Sequence, residues 1–531
     1  MKKILLVLMI VLMFAGWTEA IPPILPVEEK TSCTGHNDKT TFCRDSTGAL
    51  WEYNGTSVVK AGTGAIGGAT TNVQFNNTGA FDGDAEFTWN TSSKVLTVTT
   101  GGLNLTNGAG LNGIVGKDTP AAGTFTTLKV TAPWVDVTHP TYGADPTGVA
   151  DSTTAIQNAL NAGKTIFFPA GDYLISAALT LSNNHRLFGV GSNSKIFTST
   201  NNINLIDVNG DSNITIENLK FQGNNTNGGD ETTGNGIYIR NNSSDITIQN
   251  CEFTNFGQTN LHGAGIVSYS TLSRLTVFNN YFHDGLGGFL GSDIFIAYTS
   301  GDVIITHNRC YSSNSQGIYN DAGSGTGKVI IANNIVKNHS RHGILASYGA
   351  ASYRDILISG NIVQDCGWNG ISLIGNTPTS GGGTVIISDN IVRNCGGSDD
   401  TNAQNSGILS SDNIDSVMIT NNQIYKSGFT SAGVERTYAA HGIRVNNDKN
   451  TTVQGNTIDT CKTGVFVYNN ITAVEMIGNK LIDNTTAISI QPGDDDGLDP
   501  LIIQANLIKN PTVDGNGIYI TLASGVTNKN V

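Results

Sequence analysis

From about residue 200 onward, the apolar residues of this chain fall in short alternating runs. Each run is about four residues long, apolar at every second position and rich in Ile and Val. That is the period of a strand with one buried face, and the runs are too short for helices. One phrase, apolar-any-apolar-any-any-Asn-any-apolar, recurs around Asn280, Asn308, Asn334, Asn361, Asn390, Asn422, Asn456, Asn479 and Asn506. Two earlier copies, ITIENLKF and ITIQNCEF, put Leu219 and Cys251 at the place of that Asn. A second phrase, usually Gly-Ile followed by alternating residues, interleaves with the first and is centred on Ile237, Ile266, Ile294, Ile318, Ile344, Ile371, Ile408, Ile443, Val465, Ile488 and Ile518.

Self-similarity at a period of about 28 residues predicts a solenoid. A coil of three short strands cannot bury its own Ile and Val, so it stacks on the next coil with parallel strands about 4.8 Å apart. The expected fold class is therefore all-β, a parallel β-helix over 131–531. The recurring Asn then falls at one corner of every coil, where its amide bonds its neighbours above and below and the turn backbone. Cys366 and Cys395 each lie five residues after a ladder Asn, with Ser427 and Cys461 at the same place further on. Their spacing suits either a Cys366–Cys395 disulfide or a reduced Cys/Ser stack.

Around residues 151–163 the period changes from two to that of a helix. Asp151 or Ser152 is placed to cap a short helix whose stripe is Ala155, Ile156, Ala159 and Leu160, and Gly163 suits its end. Such a helix covers the first exposed coil of a solenoid. Residues 21–130 lack the repeat; phrases such as GALWEYNGTS and VQFNNTGAFDGDAEFTWNTSSKVLTV predict a small β-rich accessory or attachment region. Residues 1–20 read as a secretory signal peptide: Lys2 and Lys3, an apolar run from Ile4 to Ala15, and small residues around Ala20. That run is too short to span a membrane, so the chain is expected to be secreted and soluble, without a membrane span.

With only 13% charged residues, a net charge of -13 and pI near 5.0, the surface repels nucleic acid phosphates, and no nucleic acid partner is expected. Seven cysteines in an exported chain cannot all pair, and Cys33 with Cys43 is the easiest pair. The acidic loop Gly493-Asp494-Asp495-Asp496-Gly497, with Asp499, offers oxygens for Ca²⁺, but it has no EF-hand spacing and reads first as a solvated turn. No other metal or cofactor is expected.

The phrase YGADPTGVADSTTAIQNAL followed by IFFPAGDYLIS resembles the entry segment of the pectate lyase superfamily domain found in rhamnogalacturonase-like enzymes, polygalacturonases and phage tailspikes. The N-terminal phrases resemble segments of phage tail-fibre and adhesin-like proteins. The first resemblance implies a right-handed coil and a polysaccharide ligand, held along the sheet of Gly-Ile strands. With Ile inward, the outward face is expected to carry Tyr238, Arg240, Tyr269, Asp293, Phe295, Tyr319, Asp321, Leu345 and Arg444. Rings there stack on pyranose C–H faces, and the charged groups bond hydroxyls.

Glycoside hydrolysis requires two carboxyl groups, roughly 5 Å or 6.5–9.5 Å apart. Asp293 stands where most coils have Gly and is the first candidate; Asp284, in the loop entering the same strand, is placed to fold back towards it. Asp321 is expected about 14 Å away along the strand, and Arg341 and His342 about 10 Å away, two coils on. GSDIFIA, RHGILAS and HGIRV echo polygalacturonase phrases, yet there is no Asn-Thr-Asp, no Asp-Asp on a groove strand, Arg precedes His342, and Val445-Asn446 follows Arg444. The expectation is a secreted hydrolase or lyase of a polysaccharide, uronic-acid polymers included, with Asp293, Asp284, Asp321, His342 and Arg341 as catalytic candidates. Tyr238, Arg240, Tyr269, Phe295, Tyr319 and Arg444 are the substrate-binding candidates. The alternative is a non-catalytic adhesin or tailspike-type protein. Because GIYITLASGVTNKNV shows no capping helix, the last coil is expected to pack on a tail segment or on another copy of the chain, as a homo-oligomer.

Overall fold

Strand by strand, each repeat hydrogen-bonds to its counterpart one repeat later, and the computed structural model resolves into three long parallel sheets of 14, 14 and 13 strands. Sheet A runs from Val135–Asp136 to Leu501–Gln504, sheet B from Thr147–Asp151 to Leu507–Lys509, and sheet C from Leu179–Thr180 to Ile518–Ile520. The chain visits A, B and C in turn, coil after coil, as a right-handed parallel β-helix. The structure describes seven strands between Glu28 and Val98, and residues 133–520 except 225–231, 258–262, 270, 286–290, 298–299, 312–314, 322–326, 349–353, 376–382, 398–404, 413, 428–440, 470, 492–499 and 511–516. The predicted signal peptide, the Cys33–Cys43 pair and the acidic loop at 493–499 lie outside what is described.

The chain divides into two units, 1–128 and 129–531. In the first, Glu28–Glu29, Phe42–Arg44, Leu50–Tyr53 and Val58–Lys60 form one small sheet, and Asn72–Asn77, Ala80–Asn90 and Val95–Val98 form another. In the second, inward Ile, Val, Leu and Phe from all three sheets make one continuous core. Burying each such side chain is worth about 1.5–3 kcal/mol, and only stacking achieves it.

Asparagine orders the corner between sheets A and B. Asn361 Oδ1 accepts from the backbone N–H and the Nδ2 of Asn334, while its own Nδ2 donates to Ile331 O and to Asn390 Oδ1. The same pattern repeats from Asn280 to Asn506. The residue before each ladder Asn has positive φ, as in Asn279, Asn333, Asp389 and Asn421, which accounts for the Asn, Asp and Gly found there. Cys251, Cys310, Cys366, Cys395 and Cys461 are buried free thiols, so of the two readings offered for Cys366 and Cys395 the reduced stack is the one found.

Helix α1 (Thr153–Ala162) buries Ile156, Ala159 and Leu160 on the first coil. Asp151 Oδ1 accepts from the Thr153 N–H. Gly163 differs from its expected role: its backbone is extended, and it is Gly because a Cβ would lie 2.5 Å from Val135. The helix end is closed instead by buried His185, whose Nε2 lies 3.1 and 3.0 Å from the carbonyls of Leu160 and Gly163. In the entry phrase, Asp145 accepts from the Ala150 N–H, the Thr147 hydroxyl and N–H, and the Val149 N–H, which holds its carboxyl down at about 2. That aspartate organises a turn.

Candidate functional site

Counting from the inward Ile of each sheet C strand, positions +1 and +3 face outward. Register then sets the +1 column as Phe295, Tyr319, Leu345, Ser372, Leu409, Arg444 and Phe466. The +3 column contains Tyr269, Ala297, Asp321, Ser347, Ile374, Ser411, Asn446 and Tyr468.

Three of the expected substrate residues come together. The rings of Phe295 and Tyr319 stack at 4.9 Å, and Tyr269 meets Phe295 edge-on at 6.0 Å. Tyr238 continues the +1 column two strands before Phe295, with Val267 between them, and is buried in a small cluster with Ala264 and Val267 against which Tyr269 and Phe295 pack. Asp321 is half-buried two residues along from Tyr319 and accepts from Ser347 Oγ at 2.9 Å. The result is an aromatic platform, stacked and edge-on rather than flat, with a carboxylate at its edge.

Asp293 does not join it. Position −1 turns inward at the B-to-C corner: a Cβ on Gly265 would lie 2.6 Å from Phe282, and one on Gly317 2.3 Å from Val336. Asp293 occupies this position and points into the core rather than the expected groove, with 6% exposure. The next coil makes room by using Cys310 where its neighbours have Phe282 and Val336. The Cys310 thiol donates to the carboxyl, Oδ2 lies 3.7 Å from His339 Nε2, and burial holds the carboxyl well above its usual range. An enclosed acid whose charged form burial disfavours is a packing element here, out of reach of a polymer.

The other catalytic candidates also scatter. Asp284 has φ 55 and sits in the turn column of Asn255, Asn338 and Asp365, with its carboxylate 2.7 Å from His283 Nδ1. A left-handed turn is what selects Asp at that place. Arg341 and His342 are buried, packed against Trp368 at 4.2 and 5.1 Å. Desolvation, then the Arg341 charge, pushes His342 down to about 3, so its imidazole is neutral. Arg240 is neutralised by a two-pronged bond to Asp207 at 2.9 and 2.7 Å.

The expected long face is interrupted. Leu345, Ser372 and Leu409 of the +1 column are 7%, 0% and 2% exposed, and they separate the platform from Arg444. Around Arg444 stand residues not anticipated from sequence: His441 stacks on Phe466 at 4.3 Å, and the guanidinium lies 5.5 and 5.4 Å from the Phe466 and Tyr468 rings. The signal was available in the register, since Phe466 and Tyr468 follow Arg444 and Asn446 by one coil. Among the described residues no three His, Cys, Asp or Glu groups are placed to hold a metal ion, and no helix is long and apolar enough to cross a membrane.

Comparison with known proteins adds the following. The family model "Right handed beta helix region" matches residues 204–379 and 356–531, and "Rhamnogalacturonase A/epimerase, pectate lyase-like" matches 134–208. No curated protein sequence matches the chain. Among solved structures, the A-module of the mannuronan C-5 epimerase AlgE4 of Azotobacter vinelandii is 17% identical with TM-score 0.47, over 73% of this chain and 98% of that one. The surface adhesin PfbA of Streptococcus pneumoniae is 16% identical with TM-score 0.47, over 66% and 90%. The Dettilon tailspike protein is 18% identical with TM-score 0.48, over 73% and 68%.

Proposed function

We propose, from the premise that this chain belongs to the right-handed β-helix family and carries a pectate lyase-like entry segment, that it binds a polysaccharide on the outside of sheet C. The observation that carries this reading is the Tyr269–Phe295–Tyr319 platform. The outward edges and free surfaces of these clustered rings offer apolar contact to pyranose C–H groups, and Asp321 with Ser347 supplies hydrogen bonds for hydroxyls. Binding is favoured over cleavage because the acids of the described sheet C face do not pair. Asp321 and Asp207 lie four strand spacings apart, roughly 19 Å, against the 5–9.5 Å that two catalytic carboxyls need. A secreted or cell-surface protein that holds glycan without cutting it fits this arrangement.

Affinity electrophoresis through gels cast with pectate, alginate or dextran tests the reading. At least one polymer is expected to retard the protein, and Phe295→Ala and Tyr319→Ala are each expected to weaken that retardation about five- to tenfold. Retardation unchanged in both variants would remove the platform from the binding surface. Reducing ends without absorbance from unsaturated uronates would replace binding by hydrolysis, and the two signals together would replace it by elimination.

A further inference from the structure

We infer that Arg444 is the centre of a second carbohydrate site, separate from the platform, that takes the carboxylate or sulfate of an acidic sugar. The inference rests on the carbohydrate reading of the chain but not on the platform. Arg444 projects outward from the sheet C strand His441–Asn446, between Leu409 and Phe466. Its Nε is buried and donates to nothing. Elsewhere on these sheets, Arg186, Arg240 and Arg274 each hold a carboxylate: Glu217, Asp207 and Asp245. Arg444 has no such partner among the described residues. The acid whose charge reaches it, Asp412, is already engaged by Ser411 Oγ at 2.7 Å and Asn447 Nδ2 at 3.4 Å.

Two more orphaned atoms share this patch. His441 Nδ1 and Asn446 Oδ1 are both buried without a hydrogen-bond partner, on residues 3% and 4% exposed. Burial pushes His441 down to about 3, so the ring is neutral and Arg444 supplies the positive charge. A buried polar atom left unbonded costs about 1–3 kcal/mol, and three of them around two aromatic faces form a set awaiting a ligand. Each group names part of it. The guanidinium suits an oxyanion, Asn446 Oδ1 accepts from a hydroxyl, and the Phe466 and Tyr468 rings, 5.6 Å apart, cover a C–H face. An oxyanion, a hydroxyl and an apolar ring face on one small molecule describe an acidic pyranose.

Calorimetric titration of the full chain decides it, with trimers of galacturonate, mannuronate and glucuronate, their carboxyl-reduced counterparts, and sodium sulfate alone. At least one acidic trimer is expected to bind, its reduced form about tenfold weaker or less, and Arg444→Gln to lose about tenfold or more, as for one charge-assisted bond. Asn446→Ala is expected to weaken the same trimer with an unchanged melting temperature, which guards against a folding artefact in the Arg444 variant. Phe295→Ala is expected to leave this affinity unchanged. No binding of any acidic trimer, or equal binding by Arg444→Gln, overturns the inference. So does sulfate binding as tightly as the trimer, which would reduce the site to a simple anion hole. Loss in Phe295→Ala but not in Arg444→Gln would overturn it while leaving the platform reading in place.

Discussion

Asp448 shows how one buried side chain sets a pH dependence. Three residues before an inward strand residue, the coil on one side places Ile414 and the coil on the other Ile471, both in the core; this coil places Asp448, fully buried. Ser410 Oγ donates to it at 2.6 Å and the Ile414 N–H at 3.3 Å, yet desolvation outweighs both and raises the carboxyl to about 7. Because the folded value lies above the ordinary 3.8, the native state holds the extra proton. The stabilisation is complete below about pH 4 and is lost as pH rises through about 7. A shift of about three units corresponds to about 4 kcal/mol in total. Asp448→Asn keeps the shape and removes the titration. Denaturant midpoints of wild type and variant are therefore expected to diverge in favour of the variant by about 2–3 kcal/mol between pH 5 and pH 8. A constant difference across that range would show that Asp448 does not titrate there.

The elements are held in line by corners rather than by strand length, since most strands have only three to six residues. At the A-to-B corner the Asn ladder satisfies backbone groups that a turn would otherwise leave open. At the B-to-C corner the requirement is space. A Cβ on Gly343 would stand 2.3 Å from Val363 Cγ1 and 2.7 Å from the Gly370 carbonyl, and the same clash recurs at Gly370, Gly407 and Gly442. Gly343→Ala is expected to cost about 2–4 kcal/mol, read as a fall in thermal midpoint, because a backbone carbonyl cannot move aside as a side chain can. Trimming Val363 to Ala in the same chain is expected to restore only part of the loss. Asp293 is the exception that identifies the constraint, tolerated because Cys310 replaces a larger residue opposite it.

Along the whole solenoid, each coil is protected by the next, so stability follows position. Core positions of the central coils, such as Ile318, Ile344 and Ile371, are fully buried, whereas in the final coil Ile518 is 45% and Tyr519 44% exposed. Nearest-neighbour stacking then predicts fraying from that end. Hydrogen exchange is expected to be fastest, among the described strands, in Leu501–Gln504, Leu507–Lys509 and Ile518–Ile520, and slowest between Ile294 and Ile419. Uniform protection along the chain would point to a partner covering the last coil, the packing expected from the sequence.

The interval between Asn residues and the apolar alternation determined the β-helix and its register, and the change to a helical period at 151–163 determined the helix that closes its first coil. Those features depend on local period and on the demand that every coil present the same inward set, and both are written into consecutive residues. Reading Ile as inward also located Phe295, Tyr319 and Arg444 on one sheet. What only the tertiary structure decided was which way a corner residue points and what stands beside it. Asp293 looks like an anomalous acid on a strand until the corner turns its Cβ towards Cys310; Asp284 looks like a loop carboxylate until its φ shows a left-handed turn. Arg240 and Arg444 occupy the same sheet with similar neighbours in sequence, and a carboxylate from the preceding coil neutralises the first and not the second. Such pairings join residues about thirty positions apart, and a change of one or two residues in loop length changes them, while the strand pattern that fixes the fold remains.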